Sequence, residues 1–286
     1  MKYAINGFFI ILTLIFVLPL LLIVSISLSS EQSLLQHGYL LIPKEFSLDS
    51  YRLILQQPTQ LLNAYGVTIA VTAIGGAIGL LLSAMLAYAL SRKEYAYRRV
   101  TMIFVIIPML FNGGLVPFYI LVTQYLQLKD TLAILILPYL ISPFFILILK
   151  GFLDKLPAEI FDSAKIDGAN ELRIFFRIVM PLSTPALATV GLFISFKYWN
   201  DWWLGLLFVD SQQLVPLQLL LYRLMNTIEY LKSAIDMNMV QIDMSQFPSL
   251  SARMAMAVLA AGPMMFIFPL FQRYFVAGLT VGSVKS

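Results

Sequence analysis

The chain has 286 residues, 60% of them hydrophobic and only 12% charged. A soluble globular domain is about 45–50% apolar and about 25% charged, so too little polar surface is present to cover a water-soluble particle, and the chain reads as an integral membrane protein. Zero cysteines exclude disulfides, thiolate metal sites and a cysteine nucleophile, a single histidine (His37) excludes a multi-histidine metal centre, and a net charge of +4 does not call for nucleic acid.

A membrane-crossing helix needs about 20 apolar residues. Charge-free stretches long enough lie at 3–30, 53–91, 100–128, 131–149, 178–196 and 254–272. Trimmed by turn and polarity signals, they predict an all-α membrane protein with six transmembrane helices near 7–28, 65–90, 101–123, 131–150, 184–208 and 254–276. The first stretch follows Lys2 as a signal peptide would. Its apolar part is too long for one and no A-x-A site follows, so it is read as a retained span. Lys and Arg divide 12 to 6 between alternate connecting segments, the smaller set being Lys44, Arg52, Lys129, Arg223, Lys232 and Arg253. The excess belongs inside, which puts both termini and the 151–183 segment in the cytoplasm and the longer segments 29–64 and 209–253 outside.

The second span carries Gly75, Gly79, Ser83 and Ala87 at four-residue spacing. On a helix they form one small-residue stripe that lets another backbone approach, either within the chain or across a dimer face. Eight of the 14 prolines fall inside spans (Pro19, Pro108, Pro117, Pro138, Pro143, Pro185, Pro263 and Pro269), so bends and breaks are expected. The third span is the most disturbed: Asn112-Gly113-Gly114 precedes Pro117. A break beside a polar side chain suits a helix lining a polar path, and a plain kink fits equally.

Charge inside the spans is nearly absent. Lys197 and Asp201 lie four apart near the outer end of the fifth span, where they can pair or snorkel. Ion-driven carriers usually keep ionisable groups at mid-membrane, and none is seen here. Beside this pair runs Tyr198-Trp199-Asn200-Asp201-Trp202-Trp203. An interfacial aromatic belt explains it; so does a carbohydrate platform of rings stacked on sugar faces with Asn and Asp bonding hydroxyls. Composition does not choose between them.

The segment 156–171 reads Leu-Pro-Ala-Glu-Ile-Phe-Asp-Ser-Ala-Lys-Ile-Asp-Gly-Ala-Asn-Glu. Pro157 suits the first helical position and Glu159 favours the positive end of the dipole. Ile160, Phe161 and Ala164 share a face, Asp167-Gly168 stops the helix, and Asn170 caps a second helix running towards Pro181. A compact knob at the membrane surface follows.

This stretch resembles the EAA loop of binding-protein-dependent ABC importers, in which a Glu-Ala-Ala triplet is followed at fixed spacings by Gly and by an Ile-x-Leu-Pro end. Here Asp162-Ser163-Ala164, Gly168 and Ile178-Val179-Met180-Pro181 keep those spacings, with Asp for Glu, Ser for Ala and Met for Leu. Ile166-Asp167-Gly168-Ala169 is the form common among carbohydrate importers. The stretches 272–280 and 282–285 resemble the C-terminus of the small maltose-type permease family. Asn112-Gly113-Gly114-Leu115-Val116-Pro117 and Trp199-Asn200-Asp201-Trp202 are most similar to its polysaccharide-permease branch.

The resemblance implies a type I ABC importer permease fold and a partner set: a second homologous permease subunit, two ATPase subunits, an extracytoplasmic solute-binding protein, and membrane lipid around them. The chain has no G-x-x-x-x-G-K-[ST] loop, so it is expected to hold no cofactor and to be no enzyme itself, with ATP and magnesium on the partner ATPases. Glu159, Asp162, Ser163, Ala164, Asp167 and Gly168 would form the coupling helix seated on an ATPase. Asn112, Tyr198, Trp199, Asn200, Asp201 and Trp202 would line the solute path. Tyr222, Arg223 and Asn226, in an outer loop 209–253, would meet the binding protein, and the tail from Gly278 would touch the ATPase dimer. The implied function is import of a carbohydrate through a bacterial cytoplasmic membrane. Import of a non-sugar solute, and a stand-alone secondary carrier, are the competing readings; an intramembrane enzyme lacks the residues to build a site.

Overall fold

The computed structural model describes residues 2–56, 58–236 and 249–281. Helices dominate the described residues. Three of them are each long and apolar enough to cross a membrane: α1 (Lys2–Ser27), α4 (Pro58–Ser91) and α15 (Leu250–Val281). At about 1.5 Å per residue, the 34 residues of α4 extend about 51 Å, well beyond a hydrocarbon core of about 30 Å.

Three further crossings are possible only as bent pairs. The first joins α5 (Arg98–Leu110) to α6 (Leu115–Ile120) and the π-helical turn Leu121–Tyr125, at 114°. The second joins α7 (Leu132–Ile136) and its tight turn through Tyr139 to α8 (Pro143–Leu153), at 46°. The third sets residues Glu171–Leu182 against α12 (Thr184–Trp199), at 85°. A continuous third helix over 101–123 is thus replaced by two short ones. The cause is local: Gly114 takes φ +86°, closed to most side chains, and its N–H bonds Asn112 Oδ1 at 2.9 Å. The helix expected over 184–208 likewise divides at Asn200, and α13 (Trp203–Phe208) follows.

The described chain divides into two compact units. One comprises residues 1–64 and 217–265. In it α2 (Glu31–His37) begins at Ser30, whose hydroxyl accepts from Ser33 N–H at 3.1 Å, and Glu31 sits buried in the first turn. The same carboxylate accepts from Ser249 Oγ (2.8 Å), Leu250 N (2.9 Å) and Ser251 Oγ (3.0 Å), so it also caps the start of α15. Helix α3 (Asp49–Ile54) is tied to the end of α1 by Ser27 and Tyr51, whose hydroxyls lie 2.9 Å apart.

The expected outer segment 209–253 is not irregular throughout. Residues Leu217–Asp236 form α14, a helix of 20 residues. Leu217, Leu219, Leu220, Leu221 and Ile228 are buried on it, and all but Leu219 fall at the spacing of one helical face. Residues 237–248 fall outside the described chain.

The other unit comprises residues 65–216 and 266–286. The small-residue stripe is used within it. A Cβ added at Gly75 would lie 2.5–2.8 Å from the Tyr198 ring, and one at Gly79 would lie 3.1 Å from the Leu140 carbonyl oxygen. Ser83 and Ala87 are fully buried. The core around them takes Leu90, Ile146, Leu149, Ile174 and Leu192. At the end of α13, Asp130, held at φ +57°, donates its N–H to Phe208 O (2.8 Å) and accepts from Ser211 N (2.9 Å).

Candidate functional site

Between α8 and α12 the chain leaves the long helices and builds a small protrusion. Helix α9 (Ala158–Ile166) follows Pro157, which stands just before the first helical residue. It stops where Gly168 adopts φ +75° and donates to Lys165 O at 3.0 Å, with Ala169 N reaching Ala164 O at 2.9 Å. Asn170 Oδ1 then accepts from Arg173 N at 2.8 Å and starts α10 (Glu171–Ile174), which continues as a π-helical turn to Val179 and as α11 (Met180–Leu182).

One face of α9 turns inward through Phe161 and Ala164, three residues apart and both buried. The opposite face leaves Glu159, Asp162, Ser163, Asp167 and Gly168 exposed together. Ala164 is therefore separated from the other five residues expected to act with it: it packs on its own chain. Ile166, which sequence reasoning passed over, is 86% exposed at the tip.

The inward face is joined to the last turns of α4. The Arg92 guanidinium lies 3.5 Å from the Phe161 ring centroid and 5.6 Å from that of Tyr88. Tyr88 packs against Phe161 and Phe175 at 6.4 and 5.6 Å, and its hydroxyl donates to Glu171 Oε2 at 2.5 Å. Lys165 completes the group, 3.2 Å from Glu171 Oε1. The Tyr88 hydrogen bond holds the Glu171 carboxyl below its usual range; burial opposes it, and the hydrogen bond and charge of Lys165 add to the lowering. A cavity of about 400 Å³ opens beside the cluster, lined by Tyr88, Arg92, Glu94, Tyr95, Glu171 and Phe175. Neither Tyr88 nor Arg92 was singled out from sequence. The available signal was their four-residue spacing, which puts an aromatic ring and a cation on one face of a helix end.

The residues expected along a solute path separate into buried and open groups. Tyr198 and Trp199 are 2% and 3% exposed, so they cannot offer ring faces to a sugar. Tyr198 donates to Ile136 O at 2.8 Å and fills the space that Gly75 leaves, which makes it a packing residue. Asn200, Trp202 and Trp203 remain exposed, the two indoles 5.6 Å apart and edge to face. Asn112 is also exposed. Lys197 and Asp201 do not form the ion pair that their spacing allows. Asp201 accepts from Tyr139 Oη at 2.8 Å, while Lys197 Nζ lies 4.2 Å above the Tyr139 ring.

Tyr222, Arg223 and Asn226 lie on α14 rather than in a loop, the first two half-buried and Asn226 exposed. Of the expected tail, Gly278–Val281 continues the α15 backbone, and residues 282–286 lie outside the described chain.

Residues 75–281 match the family model described as "Binding-protein-dependent transport system inner membrane component". The chain is 37% identical to the polygalacturonan/rhamnogalacturonan transport system permease protein YtcP of Bacillus subtilis, over 98% of this chain and 96% of that protein. It is 28% identical to the arabinooligosaccharides transport system permease protein AraQ of Halalkalibacterium halodurans, over 97% and 94% of the two chains. Among solved structures it is similar to a bacterial ABC transporter involved in the import of the acidic polysaccharide alginate, with TM-score 0.78, 25% identity and 96% of each chain covered. A protrusion of this build between apolar helices, together with matches over nearly the full length, leads to one conclusion: the chain belongs to the inner membrane components of binding-protein-dependent transport systems.

Proposed function

We propose that this chain is one of two permease subunits of an ATP-driven importer, and that it moves an oligosaccharide or polysaccharide fragment delivered by an extracytoplasmic solute-binding protein. ATP and magnesium belong to two separate ATPase subunits, and both termini of this chain face them from the cytoplasm. The observation that carries the reading is the two-faced α9. Its outer side presents Glu159, Asp162, Ile166 and Asp167, while its inner side is fixed through Phe161 to Arg92 and Tyr88 at the end of α4. An ATPase that pulls on the outer side thereby moves a helix long enough to cross the membrane, a rigid-body transmission between two access states.

The carbohydrate assignment is supported by the relatives' named cargoes and by the exposed indoles and amide at Trp202, Trp203 and Asn200. The test is to purify the chain from its native membrane in mild detergent and identify by mass whatever remains bound. A second permease and an ATPase are the expected companions. Recovery of this chain alone, under conditions that hold other such complexes together, overturns the reading in favour of a self-contained carrier.

A further inference from the structure

Lys197 has an aromatic partner and no ionic one among the described residues. Within the stretches expected to span the membrane, the other cations among the described residues stand at span ends: Lys150, beside Asp154, and Arg273. Lys197 stands in the last turn of α12, about 20 Å from Thr184 and two residues before the helix ends at Trp199. No carboxylate among the described residues lies within 4.0 Å of its ammonium. The nearest acid, Asp201, is already engaged by the Tyr139 hydroxyl and by the N–H groups of Trp203 and Leu204. The Tyr139 ring supports the ammonium from one side at 4.2 Å, and Tyr139 is itself packed edge-on against the buried Tyr198 at 5.9 Å. The ammonium is thus positioned by an aromatic ring rather than by a carboxylate of the described residues.

The face on which it stands is mixed, apolar at Phe193 and polar at Lys197 and Asn200. Phe193, Lys197 and Asn200 follow one another at helical spacing, and all three are exposed. A cation on a lipid-facing surface is costly, and ionisable residues inside spans usually face a protein interior or a water-filled path. Trp202 and Trp203 stand exposed just beyond. We propose that Lys197 is a specificity-determining residue on the solute path, and that it pairs with the carboxylate of an acidic sugar, a uronic acid unit, as the oligosaccharide passes. The relatives with polygalacturonan and alginate in their descriptions carry cargoes of that charge.

This inference rests on the import reading, and the experiment separates the two. The complete complex, isolated with its ATPases and binding protein and reconstituted in liposomes, is given trigalacturonate or the neutral arabinotriose, and uptake is followed for wild type, Lys197→Met and Lys197→Arg. Loss of a hydrogen bond to a charged group corresponds to about tenfold or more. The expected result is that Lys197→Met loses trigalacturonate uptake by that factor through a raised KM, keeps arabinotriose uptake and assembly, and that Lys197→Arg stays near wild type. Equal loss of both sugars marks Lys197 as structural or as an ion-pair partner of the second permease, and overturns the proposal. So does unchanged trigalacturonate uptake in Lys197→Met, which marks a lysine that only snorkels to the interface. Wild-type uptake of arabinotriose alone overturns the proposal and leaves carbohydrate import standing; uptake of neither sugar removes both.

Discussion

Tyr88 and Glu171 are 83 residues apart in the chain, yet the tyrosine hydroxyl donates to the carboxylate at 2.5 Å. The bond closes a link from α4 to the helical run that follows α9, and the Arg92–Phe161 contact makes a second link beside it. Tyr88→Phe keeps the ring packing on Phe161 and Phe175 and removes only the hydroxyl. We expect a loss of about 1 kcal/mol, since the carboxylate is partly exposed. Thermal unfolding in detergent measures it. The sign with pH follows from the depressed Glu171 carboxyl: its contribution is present above the unfolded-state carboxyl range and disappears as pH falls through the lower folded-state range. The stability gap between wild type and Tyr88→Phe should therefore be full at neutral pH and close under acid.

Gly75 makes a different kind of contact. A methyl group there would enter the Tyr198 ring at 2.5–2.8 Å, and the ring is held by its hydrogen bond to Ile136 O. Gly75→Ala should cost about 1–3 kcal/mol through overpacking, and Tyr198→Ala about 3–5 kcal/mol through the cavity it leaves. Because one residue fills the space of the other, the double variant should be clearly more stable than the sum of the single losses predicts. Strict additivity in a double-mutant cycle would show that the two do not share that space.

These two contacts mark where sequence reading succeeds and where it stops. The apolar stretches, the Asn112-Gly113-Gly114 break and the turn at Gly168 are local signals, and each coincides with a helix, a bend or a stop in the structure. The stripe beginning at Gly75 announced a close approach, but its partner, Tyr198, lies 123 positions away and no local pattern names it. Aromatic rings with polar tips serve an interface or a sugar equally well in sequence, whereas Tyr198 and Trp199 fill the interior. Helix α14 is legible in its leucine spacing, a signal that the reading of 209–253 as one outer segment does not use.

Glu31 illustrates the long-range part that sequence does not display. One buried carboxylate lies in the first turn of α2 and caps α15, accepting from both serines, Ser249 and Ser251, and from Leu250 N. Glu31→Gln replaces one acceptor oxygen by a donor that faces N–H and O–H groups. A loss of about 2 kcal/mol is expected, with faster amide hydrogen exchange at residues 250–253. Glu31→Ala should lose more, since both oxygens go. Unchanged exchange at those amides in both variants would mean that α15 starts without this cap.

The outer face of α9 carries the functional claim, and it can be separated from folding. Asp162 is exposed and has no hydrogen bond or ion pair with another described side chain, so reversing its charge has little reason to disturb the fold; exposed substitutions of this kind usually fall within about 0.5 kcal/mol. Asp162→Lys should therefore leave membrane insertion and thermal unfolding of the isolated chain near wild type. If an ATPase offers a basic group to this carboxylate, the same change places like charges together and removes a charge-assisted bond. Copurification of the ATPase should fall, or sugar uptake should stop while ATP hydrolysis continues. Ile166→Asp probes the apolar part of the same contact, since the side chain is almost wholly bare in the isolated chain and should be covered in the complex. Phe161→Ala is the opposite control: it removes a buried ring, costs about 3–5 kcal/mol in the chain itself, and should lower stability before assembly is tested. Normal uptake together with normal ATPase retention in Asp162→Lys would remove α9 as the coupling surface and direct attention to other exposed segments of the chain.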